Sequence, residues 1–272
     1  MTAIAELPAS KPAAVEQEPR RVSLFGVEID VVTMRQAVAV VRELLETTAS
    51  SCGFVVTPNV DHIVMLQERE DLVACYHDAS LVLADGWPIV AASRLLGSAL
   101  PERVAGSDLV PSLFAAAKPA DELTTYLLGA APGVAETAAE QIEKRWPAVR
   151  VVGTYSPPMG FEHDAAENQA ILARIAKAAP KLLVVGLGAP KQELWVHQHH
   201  AQIEARVALC VGATIDFLAG NRKRAPLWMQ RLGLEWLHRL LSEPRRMAGR
   251  YGRDAIVFPR VVARQWLRGS GR

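Results

Sequence analysis

Residues 181–214 read KLLVVGLGAPKQELWVHQHHAQIEARVALCVGAT, and this stretch decides the fold class. Residues 182–187 are apolar apart from one glycine and show no alternation, the pattern of a strand buried on both faces. Gly186, Gly188 and Pro190 then punctuate the chain, and residues 191–200 supply a helix before a second continuous apolar run at 207–211. Strand, helix, strand within about thirty residues predicts two parallel strands, because a helical crossover is the usual connection that returns the chain to the same edge.

The same alternation extends outward in both directions. Towards the N-terminus, strand VRVVGTYSP precedes helix AENQAILARIAKAA, and strand TTYLLGA precedes helix PGVAETAAEQIEKRW. Further back, CGFVVTPN leads into VDHIVMLQERE, SLVLADG leads into PIVAASRLLG, and SDLVPSLFAAAK adds one more helix. Before these, SLFGVEIDVV alternates around Gly26 as a small hairpin does, and Thr33 is placed to cap MRQAVAVVRELLETT. Towards the C-terminus one long helix is expected at about 226–242. Apolar strands alternating with amphipathic helices give a mostly parallel sheet covered on both faces. No linker between residues 24 and 240 divides it.

Composition agrees. Half the residues are hydrophobic and 22% charged, an ordinary globular balance. Cys52, Cys75 and Cys210 are odd in number and without metal-ligand spacing. They are expected to pack as small core groups in a reducing cytoplasm, with no disulfide framework or structural zinc. No stretch approaches the ~20 apolar residues of a membrane span. Residues 1–21, rich in Ala, Pro and Glu, lack the pattern of a secretory signal and read as a disordered leader. The net charge of +1 conceals an asymmetry: from Leu237 onward nine arginines face only Glu243 and Asp254, so that this end carries +7 and the remainder −6. A localised anionic partner is implied.

In an open parallel sheet, ligands bind beyond the carboxyl ends of the strands. Four polar segments fall there: Thr57-Pro58-Asn59, Asp85-Gly86, Gly188 to Glu193, and Thr214 with Asp216. Asp85 at such a position either faces a cleft, where an apolar wall raises its pKa towards that of a general base, or caps the helix that follows. Thr57 and Asn59 pose the same choice between site and turn. GLGAPKQE opens a helix whose free N–H groups suit a diphosphate, with Gln192 and Glu193 either reading a nucleotide or merely starting an amphipathic helix. Lys191 stands where a dinucleotide fingerprint wants a third glycine, and no GK[ST] follows, so neither an NAD site nor a P-loop is expected. His197, His199 and His200 lack the HExxH arrangement, and Asp-x-Asp is missing from the chain. A solvated histidine face and no essential metal are expected. Arg260, Arg264, Arg268 and Arg272 recur every four residues beside Val257, Val261, Trp266 and Leu267; the stripe is either an interfacial membrane helix or a solvated one. Nucleic acid ranks low, because the chain as a whole is not basic and no groove-reading motif is present.

Seven segments in order, VVTPNVDHIV, LADGWPIVAASRLLG, PERVAGSDL, LLGAAPGV, VVGLGAPKQELW, VGATIDFLAGNRKRAP and GLEWLHRLLSEPRR-x3-RY, resemble the WecG/TagA/CpsF family of glycosyltransferases from about Val22 to Tyr251. The resemblance implies one Rossmann-like core over residues 22–238 and a basic, membrane-associating helical appendage over 239–272. It implies an inverting, metal-independent transfer, without cofactor, from a UDP-sugar to an undecaprenyl-diphosphate-linked sugar at the inner face of the cell membrane. By the same resemblance, Thr57 and Asp85 are catalytic. It places Gln192 and Asp216 on the nucleotide and functional arginines at Arg239, Arg245, Arg246 and Arg250 of the appendage; Asn59, Arg103 and Gly188 are expected to bind substrate beside them. Docking on the membrane is linked in the family to a change from a self-associated form to a monomer; whether this chain oligomerises is not legible in its sequence. A nucleotide-dependent oxidoreductase and a non-catalytic membrane scaffold are the alternatives. The first lacks its fingerprint at Lys191, and the second has no use for polar groups gathered at four strand ends.

Overall fold

A computed structural model of the chain describes residues 20–47, 50–222 and 224–269, with the backbone alone at Leu227, Arg231 and Arg246. The chain opens with β1 (Arg21–Leu24) and β2 (Val27–Asp30), then α1 (Met34–Glu46), β3 (Gly53–Val56), α2 (Val60–Leu66), α3 (Glu70–Asp78) and β4 (Leu81–Val82). It continues through α4 (Trp87–Leu95), α5 (Gly106–Ala116), β5 (Leu123–Gly129), α6 (Val134–Arg145), β6 (Val149–Tyr155), α7 (Ala165–Ala178) and β7 (Leu182–Gly186). Then come α8 (Lys191–His199), β8 (Val207–Cys210), α9 (Thr214–Leu218), α10 (Leu227–Arg231), α11 (Glu235–Ser242) and α12 (Pro244–Gly269).

Six strands form one sheet in the order β4-β3-β8-β7-β5-β6, every neighbouring pair parallel. The uninterrupted apolar runs now have a cause. Phe54, Val56, Leu183, Val185, Ala208 and Cys210 enter one core layer, while Val55, Leu182, Val184, Val207 and Leu209 enter the other, as the two-residue repeat of a strand requires. Each such Leu or Val contributes about 1.5–3 kcal/mol by leaving water. Helices α2, α3, α4, α7, α8 and α12 cover the first face through Ile63, Leu72, Ile89, Ile171, Val196 and Val261; α1, α5, α6 and α9 cover the second through Val41, Leu109, Ile142 and Ile215. The expected α/β architecture, with helices on both faces, is the one found.

The hairpin β1–β2 turns through Phe25 (φ 58°) and Gly26 (φ 91°), the left-handed pair that a two-residue hairpin uses. Asp30 pins it to the sheet edge by accepting from Arg21 Nε at 3.0 Å and from the Val82 N–H at 2.7 Å. Thr33 caps α1 reciprocally with Gln36, as its position predicted. The leader drawn at 1–21 ends inside β1, whose Arg21 is in the ladder, while residues 1–19 lie outside those described. The boundary drawn at residue 238 falls within α11.

Three elements differ from the sequence reading. Residues 70–78 form a separate helix, α3, burying Leu72, Cys75 and Tyr76. The strand expected in SLVLADG pairs only at Leu81 and Val82; beyond it the chain stays beside β3 through Leu83 N–H to Val56 O and Asp85 N–H to Pro58 O, both under 3 Å. The long helix expected at 226–242 is two short ones, α10 and α11, broken at Gly233. There φ is +72°, and a Cβ would stand 2.8 Å from the Trp87 ring, so the break is set by packing against α4.

Candidate active site

Thr57, Asp85, the Gly188 loop and the turn at Gly212 follow β3, β4, β7 and β8, so the strand order brings their segments to one edge of the sheet. Close approach there needs glycine. A Cβ on Gly129 would meet the Gly186 carbonyl at 2.5 Å, and one on Gly186 would meet the Gly212 oxygen at 2.9 Å.

Asp85 does not cap α4. The capping position is Gly86, with φ +152° and no side-chain hydrogen bond to the helix. The carboxylate keeps 29% of its surface open, yet burial raises its pKa to about 6. The charges of Arg103 and Arg239 oppose that rise, and those of Glu235 and Asp108 add to it. Arg103 Nη1 stands 3.9 Å from Asp85 Oδ1. The same guanidinium binds Asp108 Oδ2 at 2.8 Å and Glu235. Arg224 joins those two acids again, at 2.6 and 3.1 Å. Glu235 and Arg239, both on α11, are therefore part of the electrostatic surroundings of Asp85.

Thr57 is buried, its hydroxyl donating to Cys210 O at 3.2 Å across the β3–β8 seam. Asn59 takes the capping role: Oδ1 accepts from the N–H groups of Asp61 and His62. Gln192 is 2% exposed. Its Oε1 accepts from the Gly212 N–H at 3.0 Å and its Nε2 donates to Glu193 Oε1 at 2.8 Å. Both ends of the amide are thus engaged within the protein. Gly188 supplies a left-handed turn (φ +84°) before α8, whose N-terminus has no side-chain cap. Asp216, on α9, accepts from Asn221 Nδ2 at 3.3 Å and faces Arg222, which in turn binds Glu243 at 2.8 Å.

The appendage arginines separate. Arg239 is exposed and lies 6.0 Å from the Phe217 ring, Arg250 pairs with Asp61 at 2.6 Å, and Arg245 is exposed. The side chain of Arg246 lies outside those described. Residues the sequence reading did not single out include Asp108, Arg224, Glu235 and His62. Only their tertiary partners mark them, since acids and arginines are common in such helical segments. An open cleft of about 650 Å³ between α5, α6 and α9 shares Asp108, Thr214 and Arg224 with this region but includes none of Thr57, Asn59 and Asp85.

The histidines of α8 do not form the solvated face expected of them. His199 is buried with its ring 5.1 Å from that of Trp195, and His197 binds Asp78 at 2.8 Å. The helix packs on the sheet and on α3, which turns part of that face inward. All three cysteines are free and buried, and burial pushes the Cys52 thiol up to about 12. Among the described residues no group of three His, Cys, Asp or Glu side chains is placed to hold a metal, and no helix is long and apolar enough to cross a membrane.

Fold and site define a Rossmann-like α/β protein with a carboxyl of raised pKa held among arginines at the carboxyl edge of its sheet. The chain belongs to the glycosyl transferase WecG/TagA/CpsF family, whose pattern matches residues 22–272. It is 29% identical over 227 residues to the N-acetylglucosaminyldiphosphoundecaprenol N-acetyl-beta-D-mannosaminyltransferases of Staphylococcus aureus strains MRSA252, MW2 and NCTC 8325, covering 84% of this chain and 87% of each relative. The arginine stripe after Gly252 lies within the family match.

Proposed function

We propose that this protein transfers a sugar from a UDP-sugar to a sugar on a polyprenyl diphosphate, with inversion and without a metal, while docked on an anionic membrane surface. The observation that carries the reading is Asp85: it has no capping duty, its pKa is raised to about 6, and Arg103 and Arg239 act on it. A general base works best with a pKa near the working pH, and this one is ionised at neutrality yet still basic enough to take a proton.

In the proposed step, Asp85 accepts the proton of the acceptor hydroxyl. The freed oxygen forms a bond to C1 of the donor sugar as the bond from C1 to the UDP oxygen breaks, and UDP leaves with that electron pair. Arg103, Arg239 and Arg245 offset the diphosphate charge, which fixed cations do best in a site where they need not reorganise. Thr57, Asn59 and Gly188 shape the ground on which acceptor and donor meet, and Gln192 supports it from below. Asp216 stands at its margin towards the appendage. The relatives' names point to an N-acetylglucosaminyl-diphospho-undecaprenol acceptor and an N-acetylmannosaminyl donor; UDP-glucose and UDP-N-acetylmannosaminuronate are the other donors to try.

UDP release, followed with each of these donors in EDTA, with and without a short-chain polyprenyl-diphosphate-sugar, tests the reading. Release that needs the acceptor and one donor is the expected result. Release only after magnesium is added would overturn metal independence, and failure to bind UDP would overturn the donor class.

A further inference from the structure

Beneath the crevice lie two ionisable side chains to which the transfer step gives no task. Glu193 is fully buried and His62 is 5% exposed, with His62 Nε2 3.2 Å from Glu193 Oε1. The other imidazole nitrogen, Nδ1, is 2.9 Å from Asn59 Oδ1 and 3.3 Å from the Asn59 backbone nitrogen. Glu193 Oε1 also accepts from Gln192 Nε2, and Gln192 Oε1 accepts from the Gly212 N–H. A continuous polar chain therefore runs from the loop after β3 to the loop after β8: Asn59, His62, Glu193, Gln192, Gly212. Stability does not explain it. Burying a carboxylate is costly, and among the described residues Glu193 Oε2 has no hydrogen-bond partner; apolar replacements of whole buried polar pairs are often neutral or stabilising.

We infer that His62 and Glu193 are positioning residues, which hold Asn59 and Gln192 in the rotamers that shape the donor end of the crevice. The consequence reaches the base itself, because the Asn59 loop carries Pro58, whose carbonyl accepts from the Asp85 N–H at 2.8 Å. This inference rests on the reading of the crevice as a UDP-sugar site.

Glu193→Leu removes both hydrogen bonds at similar volume, and Glu193→Gln keeps an acceptor oxygen in the same place. The leucine variant is expected to raise the KM for the donor about tenfold with a smaller change in kcat, to lower its Tm because His62 Nε2 and Gln192 Nε2 lose their shared acceptor, and to have the KM rescued by glutamine. In an Asn59→Ala, Gln192→Ala background the same leucine substitution should change the donor KM little, since its effect passes through those two amides. An unchanged KM, or an equal effect in both backgrounds, would refute positioning. His62→Leu, read the same way, serves if the Glu193 variant does not fold. The side-chain amide 15N resonances of Asn59 and Gln192 give a readout without substrate: they should shift in Glu193→Leu and return in Glu193→Gln. Should the wild-type protein not bind UDP, the crevice reading fails while these resonances still decide whether the pair positions the amides; if they do not move, the inference fails on its own.

Discussion

At the scale of single residues, Asp85 ties activity to stability through one pKa. Its folded value of about 6 lies above the ordinary carboxylate value, so the fold favours the protonated form. The sign follows: the carboxyl destabilises the fold little below about pH 4, progressively more as pH rises from there to about 6, and by a constant amount above that, where both states are ionised. Asp254, raised by burial to about 6 between α12 and α2, adds to the same trend. Activity should run the other way, kcat/KM rising with pH through about 6 and then levelling. Asp85→Asn is expected to lower turnover by ~10²–10⁴ and to abolish that rise. Near-normal turnover would remove Asp85 from the base role. The same variant should melt about 2–4 °C above wild type at neutral or higher pH but not near pH 4, where Asp85 is already uncharged; scanning calorimetry at the two pH values checks it. That Asp85 ends a strand was legible in the sequence. Whether it capped the next helix was not, because the answer depended on Gly86 adopting a backbone conformation that a local reading leaves open.

At the scale of elements, the strand ends are where the sheet has least freedom. Gly129 closes β5 at φ +116°, facing the Gly186 backbone. Gly129→Ala would press a methyl group into a peptide unit that cannot move aside without disturbing β7. A loss of at least about 1–3 kcal/mol is expected, measured by urea unfolding; a loss of a few tenths would mean the strands relax apart. The long runs in β3, β5, β7 and β8 could be read because burial on both faces leaves little room for polar residues. Helix α3 was missed although Leu72, Cys75 and Tyr76 are spaced for it, since it follows α2 after a short turn with no glycine or proline between them. Gly233 was equally opaque: only contact with Trp87, from a different part of the chain, separates α10 from α11.

For the whole molecule, the basic end is both core and surface. The inner face of α12 buries Met247, Asp254 and Val261, sets Phe258 against Phe25, and ties Gln265 to the hairpin. Truncation after Pro226 would uncover this part of the core. The better test reverses charge on the outer face. Arg260, Arg264 and Arg268 are exposed there near Ile256 and Leu267, and changing all three to Glu should leave Tm nearly unaltered. Binding to anionic vesicles, measured by sedimentation, should weaken at least about a hundredfold, at ~1 kcal/mol per basic group near such a surface. Equal binding would mean that another face meets the membrane. The sequence by itself determined the parallel sheet, the family, the strand-end segments and the concentration of arginine at one end, because strand burial, helical periodicity and charge are local properties of the chain. Tertiary structure alone decided that Asn59 caps a helix while Asp85 does not, that the Gln192 amide is buried with both ends engaged, and that Glu235 and Arg224 surround Arg103. Those outcomes depend on which distant groups meet when β8 inserts between β3 and β7, and a list of residues in order does not contain that distance.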